Sequence, residues 1–206
     1  MMKNGFPRRN IKFKIHNPKG LREISGSVQA VTTIYFMLFL GILLYAQFRL
    51  FVFRSAGMYL EDALAASNLA AAVPDIEEYG ATGRVHIGNV REAYDRYQRA
   101  VKENLGLDDS WEASNRVLIG GAVVIEQFIV YDVDEDDVVI SHVSEQGKVR
   151  EERGILGSVR TPDGNIVTHT GIYSEISFPV KGFVGITVWA RKSKFVDIVS
   201  KEGEEL

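Results

Sequence analysis

The residues able to do chemistry in this chain are few and scattered. There is no cysteine, so a thiol nucleophile, a thiolate metal site and a disulfide framework are all ruled out. The four histidines, His16, His86, His142 and His169, never fall at the i, i+4 spacing that places two ligands on one helix face. His142 and His169 lie in strand-like runs, where a metal pair across a sheet is one reading and two unrelated surface imidazoles the other. The acidic run Asp132, Asp134, Glu135, Asp136, Asp137 suggests calcium. A 12-residue EF-hand loop starting at Asp132 would require Gly where Asp137 stands and Glu where Val143 stands, so a solvated inter-strand turn is the competing reading. No Gly-x-Ser-x-Gly elbow, phosphate loop or dinucleotide fingerprint occurs; Gly154-Ile155-Leu156-Gly157-Ser158 matches none of them. No enzyme and no cofactor are expected.

The informative pattern is one of charge and hydrophobicity. Residues 1–27 hold seven Lys or Arg (Lys3, Arg8, Arg9, Lys12, Lys14, Lys19, Arg22) against one acid, Glu23. With a net charge of −3 overall, residues 28–206 must carry −9. A basic arm alone would suit nucleic acid. Set directly before an apolar run, it fits the rule that Lys and Arg stay on the cytoplasmic side, so no nucleic-acid partner is expected. From Val28 to Leu50 the only charge is Arg49, and about 20 such residues cross a ~30 Å hydrocarbon core as a helix. Secretory signals have shorter apolar cores with a small-x-small site close behind. Here the nearest such site, Ala63–Ala65, lies beyond Arg54, Glu61 and Asp62, so a retained anchor is expected.

The helix should not stop at the membrane. Arg54–Val73 is rich in Ala and Leu and meets no Pro until Pro74, which predicts one helix over 28–73, about 69 Å long at 1.5 Å per residue. Within it Ala63, Ser67 and Ala71 recur at i, i+4, with Ala66 and Ala70 beside them. Such a row lets another surface approach closely, either a partner helix or this protein's own sheet. Residues 1–20 read as irregular, interrupted by Pro7, Pro18 and Gly20; a solvated tail, a short strand in which Phe13 and Ile15 alternate with Lys12 and Lys14, and an arm lying on anionic lipid are all open.

After Pro74, Glu77–Gly83 reads as a turn region. A second helix is predicted over Val90–Leu105, with Asn89 as N-cap, Glu92 at the capping-box position and Gly106 just past the end. Its apolar stripe is Val90, Tyr94, Tyr97, Val101 and Leu105. Strand-like segments follow at Val117–Val133, bent at Gly120-Gly121, and at Val138–Val143. Next come a Gln146-Gly147 turn, Ile155–Arg160, the turn Pro162–Asn165, an alternating run from Ile172 to Val180, Val184–Ala190 and Phe195–Val199. The expected fold is α+β: a transmembrane helix extended into a long exposed helix, packed with a second helix on an antiparallel meander. Its parts are a basic cytoplasmic leader (1–27), the span and its extension (28–73) and an extracytoplasmic head (74–206).

Gly26-Ser27-Val28, placed just before an apolar helix, resembles the processing region of the TadE-like pseudopilins of tight-adherence (Flp-type) pilus systems. The resemblance covers about 30 residues. It implies cleavage by a prepilin peptidase between Gly26 and Ser27, and Ser27 as the first mature residue. The Glu that the family carries at the fifth mature position falls on Val31. The resemblance further implies a minor pilin-like subunit assisting assembly of a pilus or related secretion filament in cell adhesion. Its partners would be other pilins and the assembly machinery, met through the N-terminal helix at Ala63, Ser67 and Ala71. The alternative is a single-pass, signal-anchored protein whose outer domain binds a ligand or partner.

Overall fold

A computed structural model describes residues 19–114, 119–181 and 186–198, with side chains described from Ser27 onward in the first helix. Its elements are α1 (Lys19–Ala71), α2 (Ile76–Thr82), α3 (Val90–Leu105), β1 (Val124–Asp134), β2 (Asp137–Val143), β3 (Val149–Ile155), β4 (Gly171–Lys181) and β5 (Thr187–Asp197). The fold class is α+β, as expected. The chain divides into two compact units at Val52/Phe53, so the last third of α1 packs as part of the head.

The helix boundaries follow from local chemistry. α1 begins at Lys19, earlier than the expected Val28, and takes in Gly20. Each glycine inside costs about 1 kcal/mol relative to Ala, too little to break a helix of this length. Most of the irregular leader expected over 1–20 lies outside the described residues. At the other end α1 closes at Ala71, three residues before Pro74.

Ile76–Thr82 is helical, where a turn region was expected. Asp75 caps it, its carboxylate accepting from the Glu77 and Glu78 amides, and Gly83 ends it in the left-handed conformation at φ 74°. α3 matches its predicted limits. Asn89 Oδ1 accepts from the Glu92 amide at 3.1 Å, and Gly106 takes the left-handed C′ position at φ 61°. Its buried face is Ala93, Tyr94, Tyr97, Val101 and Leu105.

The sheet is antiparallel with order β3-β2-β1-β4-β5. That is not a simple meander: β1–β2–β3 are consecutive hairpins, and β4 then returns to lie beside β1, a Greek-key arrangement. Three strand expectations are corrected. The third strand is Val149–Ile155, whereas 156–160 holds only the bridge residue Arg160, paired with Ile166. The two C-terminal strands are one, β5, in unbroken register with β4. β1 starts at Val124, and its irregularity sits between Ile125 and Gln127. Gly120-Gly121 instead run against β4: the Gly120 amide donates to the Pro179 carbonyl at 2.6 Å, and a Cβ on Gly121 would lie 3.0 Å from the Pro179 ring. Val117 falls outside the described residues.

Both sheet faces are covered. Phe128 and Val130 of β1 with Ile172, Ile176 and Phe178 of β4 meet Leu60, Leu64, Tyr94, Tyr97 and Val101 of the helices. The side chains between them, Ile129, Tyr131 and Tyr173, point the other way and pack with Val138, Val159 and Val167. Val159 and Val167 come from the long β3–β4 connection, which is the reason that connection is folded over the sheet and not looped into solvent.

Candidate association surface on the first helix

Residues 27–52 of α1 have no core to join. None of residues 27–52 is buried, and Ile34, Phe36, Leu38, Phe39, Ile42 and Phe48 are among its exposed apolar side chains. α1 therefore holds a segment near the N-terminus long and apolar enough to cross a membrane. Its polar groups are handled locally. The Thr32 and Thr33 hydroxyls each donate to the carbonyl four residues back, at 2.9 Å, which removes their demand for water. Near the C-terminal end of this segment the Arg49 Nε donates to the Tyr45 hydroxyl at 3.0 Å, with the guanidinium 5.6 Å from that ring's centroid. Val31 is exposed and apolar, at the position where the resemblance would place an acid. Gly26 and Ser27 fall inside α1, so a peptidase would have to meet this turn opened.

In the head the expected association row is core. Ala63 is 7% exposed, and Ser67 and Ala71 are 0% exposed. Ser67 Oγ donates to the Ala63 carbonyl at 2.7 Å and accepts from Asn104 Nδ2 of α3 at 3.0 Å. Tyr59 adds a second tie, its hydroxyl donating to the Asn104 carbonyl at 2.6 Å. Of the two readings that the spacing left open, the structure takes the protein's own domain: this row brings α1 close to α3 and the sheet. Asn68, fully buried one residue on, donates from Nδ2 to the Lys194 carbonyl at 2.8 Å and pins the helix to β5. Sequence reasoning missed Asn68; the available signal was one amide on the apolar face of an Ala- and Leu-rich helix. Nearby, the Tyr97 and Ser174 hydroxyls are buried without a well-formed hydrogen bond, and burial pushes the Tyr97 phenol far up.

The opposite face of the same helix is open. Met58, Asp62, Ala66, Leu69 and Ala70 are exposed, so Ala66 and Ala70, one turn apart, form a small-residue row beside Leu69.

The polar constellations of the head are structural. Asp132 is mostly buried. It accepts from the Ile87 amide at 3.3 Å, and His86 Nδ1 lies 3.2 Å away. Burial pushes this carboxyl up, and His86 pulls the other way. Arg84 pairs with both Asp134 and Glu135. Glu135 holds the left-handed position, φ 52°, in the tight turn between β1 and β2. The acidic run is thus a hairpin clamped to the α2–α3 loop. His142 lies across from Ile129 and Arg150, while His169 lies 3.7 Å from Asp197, so the sheet does not pair the two histidines. Among the described residues no group of three or more His, Asp or Glu is arranged to hold a metal ion. His16 lies outside the described residues.

No protein-family model, curated protein or solved structure matches the chain.

Proposed function

We propose that the protein is a membrane-anchored assembly subunit of the pseudopilin or minor-pilin type, working by association and not by bond chemistry. One observation carries the reading: a single helix, α1, is bare and apolar over 27–52 and then, within the head, buries one face while leaving a small-residue face open. In lipid, where hydrocarbon competes with side chains for apolar contact, helices associate through close packing, which bare helical surface permits. Gly26-Ser27-Val28 ahead of the span supports the same reading. The filament partners would be like helices, and the head would stand outside the cytoplasm.

A second reading, a signal-anchored protein whose head binds a ligand or partner, is favoured by the burial of Ala63, Ser67 and Ala71 and by Val31 in place of an acid. An uncompensated amino charge at Ser27 inside an apolar bundle is costly. Mass spectrometry of the membrane-extracted protein separates the two. A mature form beginning at Ser27 is expected for the pseudopilin; an intact leader in cells with an active prepilin peptidase leaves the anchored binding protein.

Orientation is tested separately. The +6 leader places the N-terminus in the cytoplasm, so a cysteine at exposed Ser110 is expected to react with an impermeant thiol reagent in whole cells. A cysteine at Asn10 should react only after lysis. The reverse pattern would reject this topology.

A further inference from the structure

Resting on the membrane reading, we propose that the head touches the bilayer itself, through the N-terminal end of β5. Ile186, Val188 and Trp189 are 66%, 56% and 61% exposed, an unusual apolar concentration for the end of a strand. The packing of α1 in the head shows which end of the sheet this is. Lys192 passes 3.8 Å from the point where a Gly57 Cβ would sit, Lys194 Nζ lies 2.9 Å from Glu61, and Asn68 bonds the Lys194 carbonyl. Moving forward along β5 is therefore moving from Gly57 towards Ala71 along α1. The strand's first residues, about 16 Å back from Lys192 at 3.3 Å per residue, lie at the end where α1 enters the head at Phe53. β1 runs in the same sense as β5, so the acidic hairpin at Asp132–Asp137 lies at the opposite end.

The chemistry of the tip matches the headgroup region. Tryptophan has an apolar body with one N–H donor and concentrates at membrane interfaces. Arg191 and Lys192 follow directly. Among the described residues Arg191 lies 3.7 Å from Glu175 and Lys192 3.7 Å from Glu61, and their positive charge beside the apolar end of the strand suits lipid phosphate. Successive strand residues point to opposite sides, so Val188 and Trp189 make the tip apolar on both faces. A fluid slab covers both faces at once; a rigid protein partner seated on one face would leave the other wet.

The cysteine-free chain allows a direct test on the full-length protein in anionic-lipid nanodiscs. Single cysteines replace Trp189, Leu38 or Asp136, exposed in the acidic hairpin at the opposite end, and carry an environment-sensitive fluorophore, with a quencher placed on the upper acyl chain of the lipid. Quenching at Leu38→Cys scores insertion of the span, so failure there rejects the membrane reading itself. With Leu38→Cys quenched, Trp189→Cys is expected to lose most of its emission to the lipid quencher and Asp136→Cys to lose none. A Trp189→Cys signal that responds to an aqueous quencher as Asp136→Cys does overturns the proposal. A signal shielded from both quenchers also overturns it, because a protein then covers the tip.

Discussion

Replacing Phe128 with Ala is expected to cost the head about 3–5 kcal/mol, the usual range for emptying a buried aromatic site. Phe128 is 1% exposed and sits on β1, the central strand. Its ring centroid lies 5.2 Å from that of Tyr94 and 4.8 Å from that of Tyr97, so it joins α3 to the sheet. The vacated space opens between a helix and a strand whose ends are both fixed, by the Asn89 cap and by the β1 ladders, which limits how far the site can collapse. For a chain of this size the melting temperature should fall by roughly 6–20 °C. Thermal unfolding of the full-length protein in detergent, followed by near-ultraviolet dichroism, measures it. Val149→Ala on the exposed edge strand β3 should stay within about 0.5 kcal/mol. Equal shifts for the two variants would mean that the helix–sheet layer is not the head's core.

The two rows of α1 should answer oppositely to the same substitution. Ala63→Leu with Ala71→Leu forces extra methylenes into packed core, at about 1–3 kcal/mol each. The two sites are about 12 Å apart along the helix and should add. The head should therefore melt several degrees earlier. Ala66→Leu with Ala70→Leu adds bulk only on the open face, so the melting temperature should hold within a degree or two. If that face meets other subunits, disulfide crosslinking through Leu69→Cys in membranes should fall about tenfold or more, equivalent to about 1.4 kcal/mol of lost association. Unchanged crosslinking would reject association through the exposed face and leave the anchored binding protein as the better account. Loss of stability in the Ala66/Ala70 variant would mean that this face, too, is covered by the head.

Much of the architecture was legible in sequence because it rests on local rules. The apolar run before Arg49 needs only its length and lack of charge to be read as a span. α3 was readable to the residue, because an Asn cap, a Glu three positions on and a glycine past the end each satisfy specific backbone groups. The β4 alternation was equally plain, since a period of two follows from backbone geometry alone. α2 is hidden in the sequence because its cap, Asp75, follows Pro74, and a Pro-Asp pair is equally at home in a turn. The break expected between Val184–Ala190 and Phe195–Val199 arose from Arg191, Lys192, Ser193 and Lys194, polar residues that edge strands accept.

Tertiary structure alone decided the rest. The i, i+4 spacing of Ala63, Ser67 and Ala71 states that one face of a helix is small, but not what lies against it. That was settled by Asn104 reaching Ser67 from α3 and by Lys194 offering its carbonyl to Asn68 from β5, contacts spanning 37 and 126 positions of sequence. The placement of β4 beside β1, and of the 156–170 connection over the second sheet face, likewise depends on which apolar faces remain uncovered once the hairpins have formed. Sequence periodicity shows that a face must be covered; only the assembled layers decide by what.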